Sequence, residues 1–353
     1  MLVCNINKKL KGFSLDVNIE VAPGVTALLG ASGSGKSMTL RCIAGISKPD
    51  RGHIELDGVV LFDSEKKINL PPQKRNTGFL FQDYALFPNM TVRQNIMTGA
   101  KHKTAHERQA AAEEMAETFH ITPHLNKHPH QLSGGEKQRC ALARIFAGSP
   151  DILMLDEPFG ALDSHLRWAL ELELVELFKR FNKPILYVSH NRGEIYRLCD
   201  NVVIMNGGKN EAEGGKWEIF KNPQTVQSAR VTGCKNIAPA VIMGKQVSVP
   251  DWGIEFEPVE RRDDFNFIGI RANHIIPAVN AKKEDIAATF PFEIVSEIED
   301  TFTYILMVRR RGTDLPPIRW EMPKKKRTEL TDMPQELAFL HEHILFLRQE
   351  KRQ

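Results

Sequence analysis

Short, almost unbroken apolar runs alternate with longer stretches of helical period over the first two-thirds of the chain. VTALL at 25–29, GFLF at 78–81, ILML at 152–155 and ILYV at 185–188 are too short for helices and predict buried strands. Between them, residues 37–46 read as a helix brought to an end by Gly45 and Pro49. From about 91 to 119 the text turns helical, finishing in the alanine-rich AHERQAAAEEMAETF, and EKQRCALARIFAG from Glu136 is a further helix. Strands alternating with helices predict an α/β fold, a sheet flanked by helices. VVIM at 202–205, followed by Asn206, Gly207 and Gly208, predicts an edge strand and its turn.

The pattern breaks down over 223–239, so a domain boundary is expected there, with one domain over 1–230 and a second over 237–353. Beyond the break come short period-two segments at 245–249, 265–270, 292–298 and 303–308, separated by turn signals. Such spacing predicts a small all-β barrel or sandwich. The basic run Lys324, Lys325, Lys326 and Arg327 is expected to be a solvated loop between strands.

Composition narrows the reading further. Among 353 residues, Lys and Arg number 47 against 44 Asp and Glu, a near balance in which nothing argues for nucleic acid or an anionic membrane as the main partner. No apolar window reaches the eighteen residues of a membrane span. The start, MLVCNINKKLKGF, has lysines where a signal peptide would carry its apolar core. A cytosolic location is therefore expected. The five cysteines, at 4, 42, 140, 199 and 234, form no CxxC pair and read as small packing residues.

Three motifs carry chemistry. Gly30, Ala31, Ser32, Gly33, Ser34, Gly35, Lys36 and Ser37 fit G-x-x-x-x-G-K-[ST], placed after a strand and before a helix. There the glycines let backbone N–H groups wrap a triphosphate, and the helix start favours an anion. Lys36 is placed to reach the β- and γ-phosphates, and the Ser37 hydroxyl to ligate Mg²⁺. Asp156 and Glu157 end the strand ILMLDEP, where carboxylates face the ligand crevice of an α/β sheet. Asp156 suits the holding of Mg²⁺, and Glu157, pointing the other way, suits the orienting or deprotonation of a water. Leu132, Ser133, Gly134, Gly135 and Glu136 open a helix, with Ser133 and Glu136 spaced as a capping box. The same free N–H groups make a phosphate site.

A phosphate loop with LSGGE shortly before a strand ending in two carboxylates resembles the ATP-binding subunit of an ABC transporter. The resemblance covers essentially the whole chain. It implies a homodimer in which Ser133, Gly134, Gly135 and Glu136 of one chain face the ATP held by the other; Glu136 stands where the family usually has Gln. Gln82 resembles the family's Q-loop glutamine, which contacts Mg²⁺ and the attacking water, and His190 its switch histidine. Ala161, Leu162 and Asp163 resemble the D-loop that joins the two subunits. Phe13 is the candidate for stacking on adenine, with a place in the core as its alternative; a second alignment puts Leu10 there and leaves no ring. Residues after about 230 resemble the TOBE-type regulatory β-domain, with FIGIRANH at 267–274 in place of IGIRPEH. That domain is expected to dimerise or to bind the transported oxyanion. The implied function is ATP hydrolysis coupled to import of a small solute. The compact N-terminus and the segments at 232–236 and 249–253 lean toward molybdate or tungstate, with sulfate, polyamine, iron or sugar as alternatives. The implied partners are an integral-membrane permease and, indirectly, a periplasmic or surface solute-binding protein, with the chain peripheral at the cytoplasmic face of the membrane and no nucleic acid bound. A soluble ABC ATPase without a permease is the rival class.

Overall fold

The computed structural model describes residues 1–100, 104–160, 164–329 and 333–349. They form two compact units, Met1–Lys216 and Trp217–Gln353.

The strands of the first unit are β1 (Leu2–Leu10), β2 (Phe13–Val21), β3 (Gly24–Leu29), β4 (Arg51–Leu56), β5 (Val59–Asp63), β6 (Ile68–Asn69), β7 (Thr77–Leu80), β8 (Ile152–Asp156), β9 (Pro184–Val188), β10 (Asn201–Asn206) and β11 (Lys209–Gly215). They make one eleven-stranded sheet in the order β6-β5-β4-β1-β2-β11-β10-β3-β9-β8-β7. One half, β10-β3-β9-β8-β7, is parallel throughout. These are the segments with continuous apolar text: β8 and β9 are buried at every residue, as strands covered on both faces must be. β1, β2, β4 and β5 pair antiparallel. β2 alternates strictly between buried and exposed positions over Ser14–Val21, the mark of a sheet covered on one face.

VVIM of β10 is not the edge strand that the turn after it suggested. β11 pairs with it on one side and β3 on the other, and Val202, Val203, Ile204 and Met205 are all buried. A tight turn marks the end of a strand and carries no information about what flanks it.

The helices are α1 (Lys36–Ile43), α2 (Val92–Gly99), α3 (Ala105–Thr118), α4 (Gly134–Ala147), α5 (Ser164–Phe181) and α6 (Arg192–Leu198). The stretch from 91 to 119 is thus two helices. Each opens on its own capping box, Thr91 with Gln94 and Thr104 with Glu107. Gly99 ends the first where α2 crosses α4 closely; a Cβ there would lie 1.8 Å from the Arg144 carbonyl oxygen.

In the second unit Asn236–Pro239, Phe267–Ile270 and Leu345–Leu347 form one small sheet, and Val241–Met243, Gln246–Val249 and Ile254–Phe256 another. A five-stranded sheet runs Ile276–Pro277, Glu336–Leu340, Ile286–Glu299, Thr303–Arg310, Ile318–Pro323. Its long strand Ile286–Glu299 pairs with Glu336–Leu340 in its first half and with Thr303–Arg310 in its second, with an irregularity in each ladder. Such bulges bend a strand and increase its twist, so the sheet curls around Trp320, Phe290, Phe339 and Trp252. Residues 217–230, which the sequence grouped with the first domain, fall in this unit: the helix Val226–Val231 follows a bridge between Thr225 and Arg348, and the Val226 amide donates to the Arg348 carbonyl. The basic run is not a loop. It opens the short helix Lys324–Glu329, where Lys324 pairs with Glu299 at 2.5 Å and Arg327 with Glu297 at 3.5 Å.

Candidate functional site

Four parallel strands end along one edge of the first sheet, and each delivers a sequence-predicted residue. β3 runs into Gly30, β7 into Gln82, β8 ends on Asp156, and β9 leads to Ser189 and His190. The register sets their depth, with Asp156 level with Val188 and Leu80 level with Leu155.

The phosphate loop is shaped by what its glycines leave out. A Cβ on Gly30 would lie 2.2 Å from the Met205 carbonyl oxygen and 2.6 Å from Ser34 Oγ. Gly33 and Gly35 have φ of 78° and 105°, the left-handed region that favours glycine. Gly35 is the N-cap of α1, with no side-chain cap on that helix start. Lys36, buried, donates from Nζ to the carbonyls of Gly30 and Ala31, both at 2.9 Å. Burial pushes its ammonium below the ordinary lysine range, against the pull of Glu157 and Asp156. Ser34 Oγ is buried with no partner in the protein, an orphan group inside a cradle built for an oxyanion. Ala31, Ser32 and Gly33 are exposed along the loop rim.

Ser37 donates to Asp156 Oδ1 at 2.9 Å, which joins the two elements expected to share a cation. Burial pushes the Asp156 carboxyl up, partly offset by the Ser37 bond, while Glu157 adds to the rise. A buried carboxylate and a hydroxyl that, among the described residues, face the positive charges of Lys36 and Arg41 fit a divalent metal that prefers oxygen ligands. Gln82 is exposed in the turn after β7, and among the described residues no hydrogen bond joins it to this pair.

Glu157 has φ of 49°. Left-handed backbone costs a non-glycine residue about 1–2 kcal/mol, and such strain gathers at functional sites. The turn is held by the Glu157 amide on the Val188 carbonyl, at 2.9 Å. As a result Glu157 Oε2 lies 3.2 Å from His190 Nδ1, and His190 stays 74% exposed. Phe13 starts β2 half-buried, with its Cζ 3.2 Å from where a Cβ on Gly35 would be; the ring thus lies beside the phosphate loop and also packs on the core. Asp163, with Ala161 and Leu162, lies outside the described residues.

Ser133 caps α4. Its side chain accepts from the Glu136 amide, and Glu136 Oε2 accepts from the Ser133 amide at 2.6 Å. Among the described residues no hydrogen bond links Ser133, Gly134, Gly135 or Glu136 to the phosphate loop of the same chain.

Three groups escaped the sequence reading. Glu194, buried on α6, accepts from Tyr187 at 3.1 Å and Ser189 at 2.6 Å and lies 3.7 Å from Arg167. Arg167 also donates to the Phe159 carbonyl, so one guanidinium lies against both the loop after Glu157 and the Glu194 carboxylate that holds Ser189. Arg144 on α4 donates to the carbonyls of Tyr84 and Ala85, whose φ values are 62° and 44°. Arg75, 2% exposed, donates to the Cys42 and Ile43 carbonyls at the end of α1. A charged residue inside an apolar helical run, as in ALARIF, was the available signal for Arg144. Beside it a groove of about 510 Å³ is lined by Phe79, Phe81, Ala85, Phe87, Thr98 and Arg144.

A phosphate loop at the edge of a parallel sheet, with carboxylates on a neighbouring strand, defines a nucleotide-binding α/β protein of the P-loop class. The sequence profile described as ABC transporter matches residues 14–160. The molybdenum import ATP-binding protein ModC of Rhodospirillum rubrum is 37% identical over 247 residues, 70% of this chain and 67% of that one. ModC of Paramagnetospirillum magneticum is 43% identical over 223 residues, 63% of this chain and 61% of that one. The putrescine transport ATP-binding protein PotG of Escherichia coli is 41% identical over 234 residues, 65% and 60% of the two chains. The match thus spans about three-fifths of the length of most of these relatives. The dimeric post-hydrolysis structure of an ATP-binding cassette bound to ADP and Pi superposes with a TM-score of 0.53 at 26% identity, over 61% of this chain and 99% of that one. This chain belongs to the ABC transporter family, among its ATP-binding proteins.

Proposed function

We propose that this protein is the ATP-hydrolysing subunit of an ABC importer, working as a homodimer on a membrane permease, with molybdate or tungstate as the solute. The observation that carries the reading is the convergence of Gly30–Ser37, Asp156, Glu157 and His190 on one sheet edge, with Ser37 and Asp156 already bonded. The loop N–H groups and Lys36 hold the phosphates, and Ser37, Asp156 and Gln82 hold Mg²⁺. That cation, when bound, neutralises charge on the phosphates. Glu157 orients and deprotonates the attacking water, and His190, 3.2 Å away, holds Glu157 in place. Positioning and charge stabilisation are what phosphoryl transfer asks of a protein.

The signature helix completes the site of a second chain. Among the described residues its capped start makes no hydrogen bond to the phosphate loop of the same chain, and the superposed cassette was solved as a dimer. The groove beside Phe79, Phe81 and Phe87 suits an apolar segment of the permease, within reach of Gln82 through the turn it lines. Molybdate is favoured by the two ModC relatives, while PotG is similarly close. Transport by the complex of this chain with its co-purifying permease, assayed with molybdate, tungstate, sulfate and putrescine, decides the solute; uptake of putrescine alone would contradict the assignment. Glu157→Gln should lower ATP turnover by about 10²- to 10⁴-fold with ATP still bound. Full turnover in that variant would remove Glu157 from the role.

A further inference from the structure

The chain carries Glu136 in the first turn of α4, and this carboxylate sits where the proposed function needs an anion to be welcomed. A carboxylate free to swing across the Gly134 and Gly135 amides would compete with a phosphate for the donors that open every helix. The structure shows both of its oxygens committed elsewhere. Oε2 takes the Ser133 amide at 2.6 Å, and Oε1 lies 3.0 Å from Nε2 of His124. Burial works against the ionised form here, yet the Ser133 bond first, then His124 and Lys127, hold the Glu136 carboxyl below the usual range.

His124 is fixed for this task. It ends a one-turn segment, Thr122–His124, whose amide bonds to the Ile121 carbonyl, and its own carbonyl accepts from Lys127. The Leu125 and Lys127 carbonyls accept the Arg93 and Val92 amides, which ties this turn to the start of α2. Its Nδ1 is buried without a partner. A lone pair is cheaper to leave there than an N–H, so the ring's hydrogen belongs on Nε2, facing Glu136. A glutamine at position 136 would keep the Ser133 bond and bring no charge to place.

We infer that His124 is a positioning residue for the trans phosphate site: it draws the Glu136 carboxylate back from the Gly134 and Gly135 amides, leaving them for the γ-phosphate on the partner chain. The inference rests on the proposed ATPase reading and assigns how the signature segment tolerates an acidic residue.

Steady-state ATP turnover of the chain tests it through three variants. His124→Leu, which removes the donor, should raise the KM for ATP about fivefold to tenfold, the worth of one ordinary hydrogen bond. His124→Gln keeps a donor and should stay within about twofold of wild type. Glu136→Gln should restore the His124→Leu variant, because no charge then needs holding. A KM unchanged in His124→Leu overturns the inference. So does a double variant as impaired as His124→Leu alone, the outcome expected if His124 only supports the local fold; thermal unfolding of each variant exposes that case. No ATP turnover in the wild-type chain would instead undo the ATPase reading on which this stands.

Discussion

At the residue scale the site is held in a state that costs the empty protein stability. Glu157 occupies left-handed backbone, and Asp156 keeps a carboxylate where burial penalises charge. For Asp156 the folded pKa is raised, so its contribution favours the fold at acid pH, where the carboxyl is neutral, and is lost as pH rises through the raised value. At neutral pH the ionised group is a net cost. Asp156→Asn, which keeps an oxygen for the Ser37 hydroxyl, should therefore raise the melting temperature of the nucleotide-free protein at pH 7. It should also lose the further rise that Mg²⁺ with ATP gives wild type. Differential scanning fluorimetry with and without Mg-ATP reads both, and a lowered melting temperature without nucleotide would contradict the account. The placement of these residues at a strand end was legible from the apolar run before them, and β8 ends there. The strain at Glu157 was not, since backbone dihedral angles depend on how β8 and β9 sit together.

At the element scale, single guanidinium groups tie the site to its surroundings. Arg144 stabilises two consecutive left-handed residues, Tyr84 and Ala85, at the wall of the groove, from the helix that Ser133 begins. Arg144→Met should speed amide exchange across 81–87 by about tenfold, the loss of roughly 1.4 kcal/mol, with the core of β8 unchanged. Hydrogen-exchange mass spectrometry checks this; equal protection would mean the loop is held by other contacts. In the second unit, His274 packs against His343 with ring centroids 4.1 Å apart and planes tilted by 31°. Burial first, then His343 and Arg271, pushes the His274 imidazole down to about 4. A depressed value means the fold prefers the neutral ring, so its contribution is present above the ordinary value of 6.5 and is lost as pH falls from there toward 4. Between those values wild type should lose more stability than His274→Gln, as read from urea midpoints; parallel curves would contradict it. The elements themselves were largely visible as text, since continuous apolar runs became β3, β7, β8 and β9. The break between α2 and α3 had a local signal in Thr104 and Glu107, the spacing of a capping box, whereas the close crossing of Gly99 with α4 had none.

At the scale of the whole molecule, the α/β unit and the all-β unit were both legible, from the switch between helical and period-two text. The place of Val226–Val231 was not, because its pairing to Arg348 joins segments more than a hundred residues apart. The same holds for the relation between the signature segment and the phosphate loop. Both motifs are plain in the sequence, yet only the fold shows that, among the described residues, Ser133 to Glu136 make no hydrogen bond to the loop of the same chain. On the proposed reading a single copy holds two half-sites, and that reading stands or falls on whether ATP brings two copies together. Sedimentation velocity of the Glu157→Gln variant, expected to bind ATP and hydrolyse it slowly, tests this most directly. The account predicts a shift from monomer to dimer on adding Mg-ATP, abolished by Gly134→Asp, which puts a carboxylate among the signature amides. A sedimentation coefficient that does not move with ATP, or a shift that survives Gly134→Asp, would contradict it.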